Sequence, residues 1–144
     1  MIGGLGWAEP ESSIISLGSP AAGAGFTYTN PGTVVQSILS VSFHMVNAVA
    51  AGSRIPTLSF LDADGAAFAN VASGFTAGSG VTADFLFAQG IQEFGANDAA
   101  AIGVPIPPYK LGVGTSLSLA VTAKNAADQI SVVRIVVAKW PVRP

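Results

Sequence analysis

Apolar and polar residues alternate with a period of two along much of this chain, and helical periodicity of useful length is hard to find. The pattern predicts an all-β protein. Over residues 37–46, Leu39, Val41, Phe43 and Met45 fall on one strand face, while Ser40, Ser42 and His44 fall on the other. The first face is expected to be core. Residues 115–123 repeat the pattern, with Leu117, Leu119 and Val121 set against Ser116, Ser118 and Thr122. Residues 81–87 set Val81, Phe85 and Phe87 against Thr82 and Asp84. Such strands suit antiparallel sheets with one face on the core and the other solvated. Residues 130–140 are apolar on both faces except for Arg134 and Lys139, which predicts a central strand covered on both sides or buried against another subunit. Weaker signals at 13–17, 25–30, 55–61, 66–71 and 101–106 bring the strand count to eight or nine.

Turn chemistry separates these segments. Asn30-Pro31-Gly32-Thr33 places Pro and Gly at the centre of a type II turn, and residues 125–129 form a polar loop between two strong strands, so both read as hairpin connections. Residues 74–80 are too small and polar for a strand and are expected to form a mobile loop at one end of the fold. Pro105, Pro107 and Pro108 remove ladder donors, which makes residues 104–110 an extended edge or crossing segment. No internal repeat or second domain is visible. The expectation is a single-domain antiparallel β-sandwich over residues 13–144, preceded by an extended arm over residues 1–12 that orders against a neighbour. The strand count and the long hydrophobic last strand favour a jelly roll over its rival, an immunoglobulin-like sandwich.

Composition narrows the function classes. The 144 residues can bury a sizeable core without staples. Half are hydrophobic and only 10% are charged, yet no apolar run approaches the length of a membrane helix. A net charge of −2, with six scattered basic residues, leaves no stripe for phosphates or an anionic membrane surface. Neither nucleic acid nor membrane is expected as a partner. The first residues, MIGGLGWAEPESS, lack a positive n-region and an apolar h-region, so no signal peptide is expected and synthesis in a cytoplasm is the simplest reading. The chain has no cysteine, hence no disulfide, thiolate nucleophile or Cys-ligated zinc.

Candidate chemistry is sparse. Asp62, Asp64 and Gly65 match the opening of a calcium loop, but the twelfth position is Ser73 where a bidentate acid is required. A hairpin turn is the expectation, with no metal and no cofactor. His44 is the only histidine, and no G-x-S-x-G elbow accompanies it, so a surface or interface role is expected. Gly112 and Gly114 lack the third glycine and following helix of a dinucleotide loop and read as a turn before a strand. No enzyme activity is expected. Trp7, Arg54, Arg134, Trp140 and Arg143 are the candidate interface residues, because tryptophan and arginine are enriched in binding hot spots, while packing over the ends of the sandwich is an equal alternative for Trp7 and Trp140. Arg54 also has a local alternative, capping a loop or pairing with Asp62 or Asp64.

The run LSVSFHMVNAVAAGSRIPTLSFLDADG joins an alternating strand, a small-residue loop, Arg54, a second strand and an acidic turn. Together with the closing SVVRIVVAKW it resembles the small all-β cement, or decoration, proteins of tailed-bacteriophage capsids. The resemblance covers about a third of the chain and contains no catalytic signature. It implies a structural virion protein on the capsid exterior, made in the host cytoplasm, which binds the major capsid protein at joints between capsomers, commonly as a homotrimer, and stabilises the shell. The alternatives are a low-copy neck, tail or fibre protein and a carbohydrate-binding sandwich. Two Trp and two Tyr dispersed along the chain offer little for sugar stacking.

Overall fold

The computed structural model describes residues 10–50, 52–122 and 124–139. Its strands are β1 (Glu11–Gly18), β2 (Phe26–Thr29), β3 (Gln36–Val46), β4 (Ile55–Leu61), β5 (Ala67–Ala72), β6 (Thr82–Ala88), β7 (Ala101–Pro105), β8 (Lys110–Leu111), β9 (Ser116–Thr122) and β10 (Gln129–Lys139). They form two sheets. The larger runs β1-β10-β3-β6-β7, with β8 also on β3, and the smaller runs β2-β9-β4-β5. The pairs β1–β10, β2–β9, β3–β6 and β4–β5 nest one inside the next, and successive pairs alternate between the sheets. β7 is an addition to that scheme, parallel to β6 at the sheet edge.

The alternating apolar faces meet between the sheets. Phe43 stacks on Phe85 at 5.3 Å and takes the edge of Phe26 at 6.0 Å, while Leu58, Phe60, Leu117 and Leu119 close the core from the small sheet. Each fully buried side chain of this size contributes about 1.5–3 kcal/mol. The expected core face of β3 holds for Val41, Phe43 and Met45 but not for Leu39. A β-bulge, where Val136 pairs with Ser40 and Val137 with Ile38, turns Ile38 inward and leaves Leu39 half-buried. A second bulge lies in β10 between Ser131 and Arg134, where Val132 takes a φ of 52° and points to solvent. Strand β10 is central, as expected, but covered on one side: Val133, Ile135 and Val137 are buried, whereas Arg134 is exposed on the outer face.

The turn at residues 62–65 joins β4 to β5. Asp62 accepts from the amides of Asp64 and Ala66 through Oδ1, and Gly65 takes a left-handed φ of 83°. The segments 30–33 and 125–129, expected as hairpins, instead carry the chain from one sheet to the other. Asn30 fixes the first crossing by donating to the carbonyls of Val34 and Leu111 and accepting from the Gly32 amide. Strand β1 starts at Glu11, so the last two residues assigned to the arm, Glu11 and Ser12, pair with Lys139 and Ala138.

Candidate interaction faces

Arg54 is wholly buried, not at a surface interface, and its partner is Asp128 and not Asp62 or Asp64. Nε donates to Oδ2 at 3.0 Å and Nη2 to Oδ1 at 3.1 Å, a bidentate fork that suits guanidinium and carboxylate. The remaining donors reach the carbonyls of Ala48, Ala50 and Gly52. Asp128 in turn accepts from the amides of Ala48 and Asn125. Burial alone raises the Asp128 carboxyl, but the Arg54 hydrogen bonds, the two amides and the guanidinium charge outweigh it and hold the pKa below the ordinary carboxylate value.

This pair ties together the connections at one end of the sandwich. The Arg54 backbone exchanges hydrogen bonds with Ala77 at 2.7 and 3.0 Å, and Asn47 donates to Gly78, so the segment 74–80 is pinned to the β3–β4 connection and is not the free loop its composition suggested. The Asp128 carbonyl accepts from Gly23 in the β1–β2 connection. Four connections therefore share one buried ion pair.

The outer face of the large sheet is set by register. Ser16, Arg134, Ser42 and Leu86 form one row, and His44 and Asp84 lie side by side in the next. His44 Nδ1 and Asp84 Oδ1 are 2.7 Å apart in solvent-accessible positions. Phe94 pairs its backbone with Gly103 of β7 in both directions, and its ring occupies the space above that glycine, where an added Cβ would come within 2.0 Å of it. The result is a groove of about 450 Å³ between Phe94 and Val132, with His44, Asp84 and Arg134 along its floor and rim. Among the described residues no hydroxyl hydrogen-bonds the His44 ring, so the acid–imidazole pair has no nucleophile joined to it.

The outer face of the small sheet has a different character. Strands β2, β4, β5 and β9 contain no charged residue at all. Six of their outward polar side chains satisfy one another in pairs, Thr27 with Ser118 at 3.1 Å, Thr29 with Ser116 at 2.8 Å, and Ser59 with Asn70 at 2.6 Å, while the outward hydroxyls of Thr57 and Thr122 stand outside these pairs. Polar groups already paired in this way lose little when water is removed.

No protein-family model and no curated protein matches this chain. Two solved structures are similar over most of its length. One is of the T13 IBDV viral particle, with 13% identity and a TM-score of 0.44, covering 94% of this chain and 33% of that one. The other is of infectious bursal disease virus, Gt strain, with 12% identity and a TM-score of 0.42, covering 92% and 32%. This chain thus spans about a third of the length of each.

Of the residues singled out in the sequence, Arg134 lies on the exposed outer face beside the groove and Arg54 in the interior. Trp7, Trp140 and Arg143 lie outside the described residues. Sequence reasoning missed Asp128, the pairing of Asp84 with His44, and the charge-free sheet. The last was visible as four strand segments without Asp, Glu, Lys or Arg, a signal that becomes meaningful only once those segments are known to share a sheet.

Proposed function

We propose that this chain is a structural virion protein that decorates the outside of a tailed-phage capsid, seating the small sheet on the major capsid protein between capsomers while copies also associate with one another. In this reading it catalyses no reaction. The carrying observation is the charge-free outer face of β2, β9, β4 and β5, most of whose polar side chains are paired among themselves. Such a face can be buried against another protein without stripping water from ions, and many copies on a shell supply avidity. We read the nested, sheet-alternating strand pairs as a jelly roll with β7 and β8 inserted between β6 and β9, an architecture compatible with capsid proteins but not specific to them.

Two measurements test this reading. Quantitative mass spectrometry of purified virions should find the protein at a copy number comparable with that of the shell protein. A ring's worth of copies would move the assignment to neck or tail, and absence would overturn it. Ala120 is exposed at the middle of the small sheet, opposite Thr57, and bonds nothing through its side chain. Ala120→Lys should weaken binding to shells at least tenfold, about 1.4 kcal/mol, with an unchanged melting temperature. Wild-type affinity in that variant would remove the small sheet as the seat.

A further inference from the structure

The sheet edges are unequally protected. On the large sheet, β7 has Phe94 bonded to Gly103 and ends at Pro105. On the small sheet, β2 is only four residues long, and β5 carries a register shift opposite Phe60 and Leu61. Strand β1 is eight residues long, contains no proline and has no charge after Glu11, and its free side faces no other strand among the described residues. A long uncharged edge presents unpaired amides and carbonyls to any strand that can match them. Two side chains on β1 are also unprovided for. Ile14 is 68% exposed on the outer face, and the Ser13 hydroxyl is buried with no hydrogen-bond partner.

We infer that β1 pairs antiparallel with β1 of a second copy across a twofold axis at Ser13, joining two large sheets into one. This goes beyond the capsid reading, since it requires only the chain itself. The register follows from three constraints. Residues directly opposite in an antiparallel pair point to the same side of the sheet, so the sum of their numbers in a symmetric pair must be even. With the axis at Ser13, the two Ser13 residues stand directly opposite, so that a turn about χ1 brings the hydroxyl, enclosed in the single chain, out to its own copy; Ile14 lies beside Ser12 of the second copy, and the two Ile14 side chains meet diagonally within reach of each other. Charge agrees with this occupant: Glu11 faces Ile15 of the second copy, and the two Glu11 residues stand four residue steps, about 13 Å, apart. A twofold contact of this kind is isologous and closes on itself, so it yields dimers and not fibres. The pairing is short compared with a standard interface of about 1,600 Å², and the dimer is therefore expected to be weak and concentration-dependent.

Because the chain has no cysteine, one introduced thiol reads the contact directly. Ser13→Cys in the full-length protein should form a disulfide-linked dimer under mild oxidation, since opposed strand residues lie within disulfide range. Linkage should be at least tenfold faster than for Val113→Cys, an exposed loop position used as the collision control. In sedimentation equilibrium, Ile14→Lys should raise the dimer dissociation constant at least tenfold while leaving the circular dichroism spectrum unchanged, because Ile14 packs little within its own copy. Linkage no faster than the control, a wild-type chain that stays monomeric at high concentration, a trimeric mass, or an Ile14→Lys dimer as tight as wild type would each overturn the inference.

Discussion

Removing either member of the Arg54–Asp128 pair leaves the other charge buried without its partner, and such losses typically cost about 3–5 kcal/mol. Arg54→Met and Asp128→Asn should each lower the urea midpoint accordingly. The double variant Arg54→Met/Asp128→Leu should cost less than the sum of the two single changes, because the charges leave together. It should nonetheless stay well below wild type, since the amides of Ala48 and Asn125 and the carbonyls of Ala50 and Gly52 lose their partners. Full recovery of the midpoint in the double variant would show that those backbone groups find other bonds. Acid should act through the same residue. Asp128 titrates below its ordinary value, so the stability it contributes is fully present above about pH 3.9 and is lost as the pH falls below that towards the folded-state pKa. Asp128→Asn should flatten that part of the stability-against-pH curve.

At the scale of single elements, the two bulges decide which residues point where. Val132 holds a φ of 52° in β10, a conformation that costs a β-branched residue on the order of 1–3 kcal/mol, and its side chain is half-exposed. Val132→Gly should therefore raise the melting temperature or leave it unchanged, the reverse of what glycine does in an ordinary strand; a clear fall would show that Val132 packing outweighs the strain. Nothing in residues 129–139 alone signals this kink. A bulge is a mismatch in count between two strands, so it appears only when β3 and β10 are laid side by side, and for the same reason Leu39 reads as core in isolation. Strand identity is legible because alternation is local: even the weaker signal at residues 55–61 has the bounds of strand β4, and Asp62 to Gly65 carry their turn chemistry within four residues. Sheet membership is not, which is why the crossings at 30–33 and 125–129 read as hairpins in the sequence. Arg54 was visible as a residue of interest, but its partner is 74 positions away, and no local pattern marks an aspartate that will be buried.

Over the whole molecule, nesting places the first strand against the last. Glu11 and Lys139, 128 positions apart, are paired in register, and β2 lies against β9 inside them. Closing such pairs costs loop entropy before any packing offsets it, and folds dominated by distant pairings form in milliseconds to seconds. Stopped-flow circular dichroism of the refolding chain should fall in that range; microsecond refolding would mean that local structure, not strand closure, limits the rate. The Arg54–Asp128 pair belongs to this scale as well, because the connections it gathers come from both sheets, and it holds them at the same end of the sandwich. The pairing of Glu11 with Lys139 has one more effect. The first and last strand residues of the described body, Glu11 and Lys139, stand about 5 Å apart, the spacing of neighbouring strands. A segment 11–139 with so narrow a doorway can be spliced into an exposed turn of a host protein without prying that turn apart, and it can be reopened at the Asp62–Gly65 hairpin with residues 139 and 11 joined by a short linker.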